Sequence, residues 1–416
     1  MSHDHPVHGD FPPRKLGLRW IALACAAAAI VVITLLAPWR TRTAPQTLPI
    51  EFRKAWDAFE AQRTVEAEKL VAGLMRHRDH GPSYLVLDAA VSLHHGDFEA
   101  AETRIQAAKA TGELRPYALE ILGRSYYWRN QWYDAEQVFG TLAKEVPRSY
   151  AAHLWLGVVY HDSHMFGQAM HELQLAAELQ PNNPHAHILQ ASILYRYGRY
   201  HKAAEEYQRA LRLIPPPDGS NSAATSPIVV YLVRCLVRDG QFEAGIKQLI
   251  DFADPPVELQ ILRAECFLGL GQLAEAEQEC RRALERDENQ QEAVITLVKI
   301  ALQQMVTEEH VQLLDAAYSR NPNDPDVTFL LSQVHGRLGN QQRQQELLAQ
   351  SQRLQKLRSR SLELMDAVWS QPEDVESRLE LATIFSELGD AAQSKQWRQA
   401  AAGCEQRVRS FKGTQQ

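Results

Sequence analysis

The chain has 416 residues, of which 45% are hydrophobic and 23% charged, a composition typical of a globular protein and not of a disordered chain. Lysine and arginine total 44 against 51 acidic residues, giving a net charge of −7. This charge argues against nucleic acid as the main ligand, because phosphate binding needs clustered positive charge. Five cysteines in 416 residues are too few for a disulfide scaffold, and they show no C-x-x-C spacing of a metal site.

The first predicted element is a transmembrane helix at residues 20–39. The segment reads WIALACAAAAIVVITLLAPW and contains no charged side chain. As a helix, it would span about 30 Å, the hydrocarbon thickness of a bilayer. Arg19 and Arg40 bracket it, and Trp20 and Trp39 stand where interfacial aromatics belong. Residues 1–19 are predicted to be a disordered tail, and residues 40–47 a linker.

Two other interpretations of this segment are weaker. A cleaved signal peptide has a shorter apolar region and a small-residue cleavage site. A lipoprotein signal would place a cysteine at the end of the apolar run, whereas Cys25 lies near its beginning. Three basic residues precede the segment and two follow it closely, so we expect a cytoplasmic tail, with the remaining chain outside and periplasmic if bacterial. His3, His5 and His8 fit a solvated terminus better than a metal site.

A repeat of 34 residues dominates the rest of the sequence. Alanines recur at this interval, a second small residue lies twelve residues before each alanine from the second onward, and a proline lies twelve residues after each of the last three. The alanines are Ala67, Ala101, Ala135, Ala169 and Ala203. A chance series of alanine-rich helices would not keep this period over five units.

This pattern resembles the tetratricopeptide repeat. The third unit reads Leu122-Gly123-x-x-Tyr126, then Ala135-x-x-x-Phe139, then Pro147, although the consensus tryptophan is replaced by Leu119. The resemblance implies an all-α superhelical solenoid of about ten antiparallel helix pairs, preceded here by the transmembrane helix. Small residues would lie where the two helices of a unit cross, and glycines such as Gly96 and Gly198 would lie in the turns between them.

The register assigns ten units to the chain, beginning near residues 48, 82, 116, 150, 184, 226, 257, 291, 325 and 375. Units 1–5 span 48–217, a Pro/Ser-rich loop spans 218–225, and units 6–9 span 226–358. Residues 359–411 complete an extended helix and a C-terminal unit. The stretch from Gln341 to Trp369 contains neither Pro nor Gly and carries a helical leucine stripe. This stripe is expected to pack on a neighbouring unit, with dimerisation as the alternative.

The sequence contains no nucleotide-binding, nucleophile-elbow or zinc-protease motif. The histidines are scattered, and no carboxylate completes a metal triad with His161 and His164. Cys235, Cys266 and Cys280 are predicted to be buried free thiols. We therefore expect no enzyme activity, no cofactor and no metal. An enzyme of unfamiliar type is the remaining alternative.

In the resembled family, the first helix of each unit lines a concave face through its second, fifth, ninth, twelfth and thirteenth positions. In units 3–6 this implies a peptide-binding groove lined by Tyr117, Arg124, Tyr127, Trp128, His161, Tyr195, Arg196, Arg234 and Arg238. Arginines and aromatics suit an extended peptide with acidic groups. The asparagines of the carboxylate-clamp subfamily are missing. As the alternative, these side chains only solvate the groove or pair with Asp162 and Glu120.

The sequence thus predicts a non-catalytic, membrane-tethered scaffold that binds a protein or peptide partner and no nucleic acid. Tethering raises the local concentration of whatever the array binds, so a modest affinity would be sufficient. The alternative is an assembly or maturation factor for a membrane or envelope complex, in which the transmembrane helix also binds. The alanine-rich stretch of this helix would allow close helix approach.

Overall fold

The computed structural model describes residues 48–60, 63–76, 81–214, 227–250, 252, 255–371 and 373–413. Within these ranges all regular structure is helical, with twenty α-helices and one short 3-10 turn at Gly112–Leu114. The helices are α1 Ile50–Glu60, α2 Thr64–Arg76, α3 Pro82–His94, α4 Phe98–Ala108, α5 Arg115–Trp128, α6 Trp132–Glu145, α7 Tyr150–Asp162, α8 Phe166–Leu179, α9 Pro184–Arg196, α10 Tyr200–Leu213, α11 Pro227–Arg238, α12 Phe242–Leu249, α13 Val257–Gly269, α14 Leu273–Arg286, α15 Gln291–Gln303, α16 Glu308–Arg320, α17 Pro325–Arg337, α18 Gln341–Ser370, α19 Val375–Glu387 and α20 Ala391–Gly413.

Consecutive helices pack as ten pairs, α1 with α2 through α19 with α20, which are units 1–10. Each pair begins within two residues of the predicted start of its unit. The all-helical repeat fold expected from the sequence is therefore confirmed. No helix of the described residues combines the length and apolarity needed to cross a membrane. The predicted transmembrane segment 20–39, the tail histidines and the loop 218–225 lie outside the described residues.

The small residues that mark the repeat occupy the contacts between paired helices. All five alanines at 34-residue intervals are buried, and four of them are fully inaccessible. At Gly123 on α5, an added Cβ would lie 2.7 Å from the ring of Phe139 on α6. A side chain larger than hydrogen therefore cannot enter this crossing unless the ring moves.

In units 2–7, 9 and 10, the turn between the paired helices contains a residue in the left-handed backbone region. Gly96 and Gly198 adopt φ values of 78° and 66°, as the sequence predicted. Units 3 and 4 have Asn130 and His164 in the corresponding turns, with φ values of 60° and 56°. Asparagine and histidine visit this region more readily than most residues, but each still carries a Cβ there.

The extended helix predicted in unit 9 is present as the 30-residue α18. Leu347, Leu354, Leu364 and Val368 of its stripe are buried, and Leu357 is half-buried. Leu347, Leu357, Leu364 and Val368 pack in hydrophobic clusters with other helices of the same chain. This agrees with the expectation that the stripe serves intramolecular packing.

The end of the chain returns to the middle of the array, a contact that the sequence did not predict. We call residues 359–371 and 373–413, which comprise the last part of α18 with α19 and α20, the closing segment. Leu364, Val368, Phe385 and Trp397 of this segment share one hydrophobic cluster with units 3–5. The solenoid therefore closes on itself and is not an open row of units.

Polar contacts fix the position of the closing segment. Arg407 on α20 donates to Glu136 on α6, and the two residues are 271 positions apart. Tyr197, after α9, donates to the carbonyl oxygen of Met365 at 3.2 Å, and its ring lies edge-on to Trp369 with centroids 4.6 Å apart. Because these bonds lie at both ends of the contact, they define one orientation of the segment on units 3–5.

Candidate protein-binding site

The nine residues of the predicted groove lie on the first helices of units 3–6, namely α5, α7, α9 and α11. Tyr117 is only 4% exposed, and its ring lies edge-on to those of Phe52 and Trp56 in unit 1, with centroids 5.3 and 4.6 Å away. Side chains two units apart therefore meet here. The inner face between units 1 and 3 is filled by the chain's own aromatic residues.

Arg124 is also held within the protein. Its guanidinium lies between the rings of Phe59 and Trp155, 4.9 and 5.1 Å from their centroids, and 3.5 Å from the carboxylate of Glu120. A guanidinium stacked on two rings and facing a carboxylate is stabilised in place by cation–π and ionic attraction. The side chain therefore joins units 1, 3 and 4.

Tyr127 and His161 share the carboxylate of Asp162. Tyr127 donates to Oδ2 at 2.6 Å, and His161 Nδ1 lies 2.8 Å from Oδ1. Burial alone would raise the pKa of Asp162, but these hydrogen bonds outweigh it and hold the pKa below its ordinary value. Burial, together with Asp162, raises the pKa of Tyr127 far above its ordinary value, so this phenol stays protonated. The alternative pairing with Asp162 and Glu120 is thus what the structure shows for Tyr127, His161 and Arg124.

Trp128 and Arg196 are neither fully buried nor fully exposed. Trp128 is half-buried and lies edge-on to Tyr127, with centroids 5.3 Å apart. The guanidinium of Arg196 lies 5.6 Å from the ring of Phe166, beside the closing segment. Both side chains pack on their own chain and retain partial exposure.

The remaining groove residues form an accessible patch on the inner helices of units 5–8. We define the unit 5–8 patch as Tyr195, Arg234, Arg238, Glu265, Glu292 and Lys299. Arg238 and Lys299 are exposed, whereas Tyr195 is half-buried against Tyr200 and Tyr231. The patch therefore combines two exposed cations with an aromatic surface.

An ion pair spans the middle of the unit 5–8 patch. Arg234 in unit 6 donates through both terminal nitrogens to Glu292 in unit 8, at 2.9 and 3.4 Å. Glu265 in unit 7 lies near both of these residues. Burial and the neighbouring Glu292 raise its pKa above the ordinary value. Because Arg234 is neutralised within the chain, the accessible positive charge of the patch comes from Arg238 and Lys299.

Three residues of this patch were missing from the predicted groove. Glu265 is at the ninth position of unit 7, and Glu292 and Lys299 are at the second and ninth positions of unit 8. These are among the family positions that were used for units 3–6. Continuing the register by two units would have found them. The carboxylates of Glu265 and Glu292 offset part of the predicted positive charge.

A separate cleft of about 260 Å³ is lined by residues of units 4 and 5 and of the closing segment. Trp369 of the closing segment forms one wall, and Met170, Leu194, Arg199 and Glu206 contribute to the others. Cations and carboxylates line it together. Within the part of the chain described, no group of three or more His, Cys, Asp or Glu side chains is arranged to hold a metal ion.

Family comparison agrees with the geometry of the helix pairs. Models described as tetratricopeptide repeat match residues 122–164, 184–217 and 257–290, which fall in units 3–5 and 7. The chain contains tetratricopeptide repeats. The tetratricopeptide pattern read from the spacing of alanines is therefore confirmed.

Three curated relatives carry the name lipopolysaccharide assembly protein B, from Escherichia coli strains K12, O6:H1 and O157:H7. Each is 24% identical over 245 residues, which cover 56% of this tetratricopeptide chain and 58% of the relative. The chain thus spans less than two thirds of the length of the curated relatives it matches.

Solved structures resemble this one only distantly. A tetratricopeptide repeat protein from Parabacteroides merdae has a TM-score of 0.36 at 16% identity, covering 61% of this chain and 97% of its own. The C-terminal part of a TPR repeat-containing protein from Cytophaga hutchinsonii has a TM-score of 0.42 at 15% sequence identity, and the match covers 59% of this chain and 99% of that one. A human IFIT1 dimer with m7Gppp-AAAA has a TM-score of 0.41 at 12% sequence identity, and the match covers 92% of this chain and 94% of that one. At these scores, the likenesses carry no information about partners.

Proposed function

We propose that the chain is a non-catalytic, membrane-tethered scaffold that binds an extended acidic segment of a protein partner on the unit 5–8 patch. The observation that carries this proposal is the exposure of Arg238, which lies near the aromatic ring of Tyr195, and of Lys299 in the same patch, whereas Tyr117, Tyr127 and His161 of the predicted groove are buried. Arginine pairs with carboxylates through two parallel hydrogen bonds, and a tyrosine ring offers contact area at a low entropic cost.

The tether in this proposal is the apolar segment 20–39, with the N-terminus cytoplasmic and the tetratricopeptide array on the other side of the membrane. The support is the uncharged run of twenty residues and its basic and aromatic flanks. A protease-protection assay on sealed membranes tests the orientation. Digestion of the array only from the outer face would support it, and protection from that face would contradict it.

The charge of Arg238 provides the first test of partner binding. Replacing Arg238 by glutamate is expected to lower partner recovery about tenfold, because reversal adds repulsion at the place of an attractive contact. The matched control is Arg209→Glu, an exposed arginine on α10, the second helix of unit 5. The measurement is crosslinking in intact membranes with quantitative mass spectrometry. Equal losses in the two variants, or none, would contradict the proposal.

A second candidate function is that of an assembly factor for an envelope or membrane complex, with the segment 20–39 contributing to the binding site. The 24% identity to proteins named lipopolysaccharide assembly protein B favours it. Exchange of residues 20–39 for an unrelated transmembrane helix separates the two candidates. A scaffold that is only tethered is expected to retain its crosslinked partners after the exchange, whereas an assembly factor of this kind is expected to lose them.

A further inference from the structure

The turn between α7 and α8 has an unusual residue at the centre of the closing contact. His164 stands where units 2, 5, 6, 7, 9 and 10 have glycine, with a φ of 56°, and it is 4% exposed. Its ring lies 4.3 Å from that of Trp397 in the closing segment and 5.3 Å from that of Phe166, measured between centroids. The left-handed turn thus places the imidazole in the contact between the closing segment and unit 4.

The hydrogen bonding of His164 is that of a neutral imidazole. Nδ1 donates to the carbonyl oxygen of Asp162 at 3.1 Å. Nε2 is buried and has no hydrogen-bond partner among the described residues. A proton added at Nε2 would therefore bring a charge into an apolar contact without an acceptor.

The charged groups around His164 also oppose a second proton. Arg196 on α9 faces it, Arg407 on α20 reaches Ser163 next to it, and Arg378 on α19 lies near Arg407. The two nearest carboxylates are already engaged, as Asp162 bonds to Tyr127 and His161, and Glu136 to Arg407 and Tyr160. The charge of Asp162 favours a proton on His164, but burial and Arg196 outweigh this attraction.

We propose that the closing segment is a pH-sensitive latch, which is seated on units 3–5 while His164 is neutral and released when His164 takes up a proton. The cause is local to the contact, since release would expose the imidazole to water, where its protonated form is solvated. The latch uses none of the six residues that define the unit 5–8 patch, so it does not rest on the partner site proposed above.

The direction of the pH effect follows from the two states. In the closed state burial, and after it Arg196, lower the pKa of His164 from an ordinary 6.5 to about 3. Closure is then fully favoured above pH 6.5, where His164 is neutral in both states, and weakens as pH falls because only the open state binds the proton. With these two values, the equilibrium constant for opening rises about 30-fold between pH 7.5 and pH 5.0.

Hydrogen exchange of the amides in α20, measured on the full chain, tests the latch. After correction for the intrinsic exchange rate, their protection is expected to fall about 30-fold from pH 7.5 to pH 5.0. His164→Asn removes the titrating group and keeps the turn, because Asn130 adopts the same backbone region in unit 3. In this variant, the change is expected to stay below about threefold. Wild-type protection that does not change, or an equal loss in His164→Asn, would overturn the proposal.

Two further measurements keep the test decisive if His164→Asn folds poorly. Exchange at the imidazole carbon of His164, followed by mass spectrometry, reports the titration of this ring in the wild-type chain. The latch predicts that any protonation of His164 coincides with loss of protection in α20, so a ring that titrates near pH 6.5 while α20 stays protected would refute it. His201→Gln, at an exposed histidine of unit 5, is expected to retain the wild-type pH dependence.

Discussion

Replacement of Trp397 by alanine is expected to lower the free energy of unfolding by about 3–5 kcal/mol, the usual cost of truncating a fully buried tryptophan. Trp397 is the largest side chain of the closing segment with no exposed surface. It contacts His164 on unit 4, so the cavity would form inside the contact that closes the solenoid. Urea unfolding followed by circular dichroism measures the change.

The position of the loss within the chain is more informative than its size. In an open array, each unit interacts only with its neighbours, so a change in unit 10 would leave unit 4 unaffected. Because the solenoid is closed here, Trp397→Ala is expected to accelerate amide exchange in the turn around Ser163 and His164. Leu379→Ala on α19, whose side chain is 45% exposed, is the control, and its expected effect is within about 0.5 kcal/mol. Unchanged exchange in this turn would show that the closing contact contributes no stability.

The local part of the fold could be predicted from the sequence because it depends on local spacing. A helix crossing needs a small residue at a fixed position, and Ala135 and Gly123 stand at such positions in unit 3. Likewise, the absence of Pro and Gly between Gln341 and Trp369 was enough to predict the long helix α18. Each of these features concerns one helix pair, and the residues that determine it lie within a single 34-residue period.

The closing of the solenoid could not be predicted in this way. The curvature of a repeat array is the sum of small rotations between units, and no single residue encodes the total. Arg407 and Glu136 show no sequence relationship that would suggest their pairing. A local sign was His164 in a turn where six of the units have glycine, and this sign has a meaning only when Trp397 is seen beside it.

The candidate site could be predicted only in part, because contacts between units are not encoded within one repeat. Family positions correctly identified which residues lie on the first helices, but accessibility depends on side chains two units away. Trp56 covers Tyr117, Phe59 stacks on Arg124, and Glu292 neutralises Arg234. The available positive charge is therefore smaller than the arginine count suggested, and it is concentrated at units 6–8.

A pair of glycines in unit 3 tests the physical basis of the repeat itself. Gly123→Ala on α5 is expected to destabilise the chain relative to Gly140→Ala on α6 by about 1–3 kcal/mol, the usual range for overpacking. An added Cβ at Gly123 would lie 2.7 Å from the ring of Phe139, which stacks on Trp155 with an interplanar angle of 8°, whereas at Gly140 nothing lies within 4 Å. The ring of Phe139 is fully buried, so moving it would disturb the close packing around it.

The comparison of the two variants removes the effect of helix propensity. Both glycines lie inside helices, so alanine gains about 0.5–1 kcal/mol of backbone stability at either position. Gly140→Ala should therefore raise the midpoint of urea unfolding, and Gly123→Ala should lower it or leave it unchanged because the steric cost opposes the same gain. Equal stabilisation by both substitutions would mean that α5 and α6 can separate at no cost. The small residues at 34-residue intervals would then not be what holds the helix pairs at their observed distance.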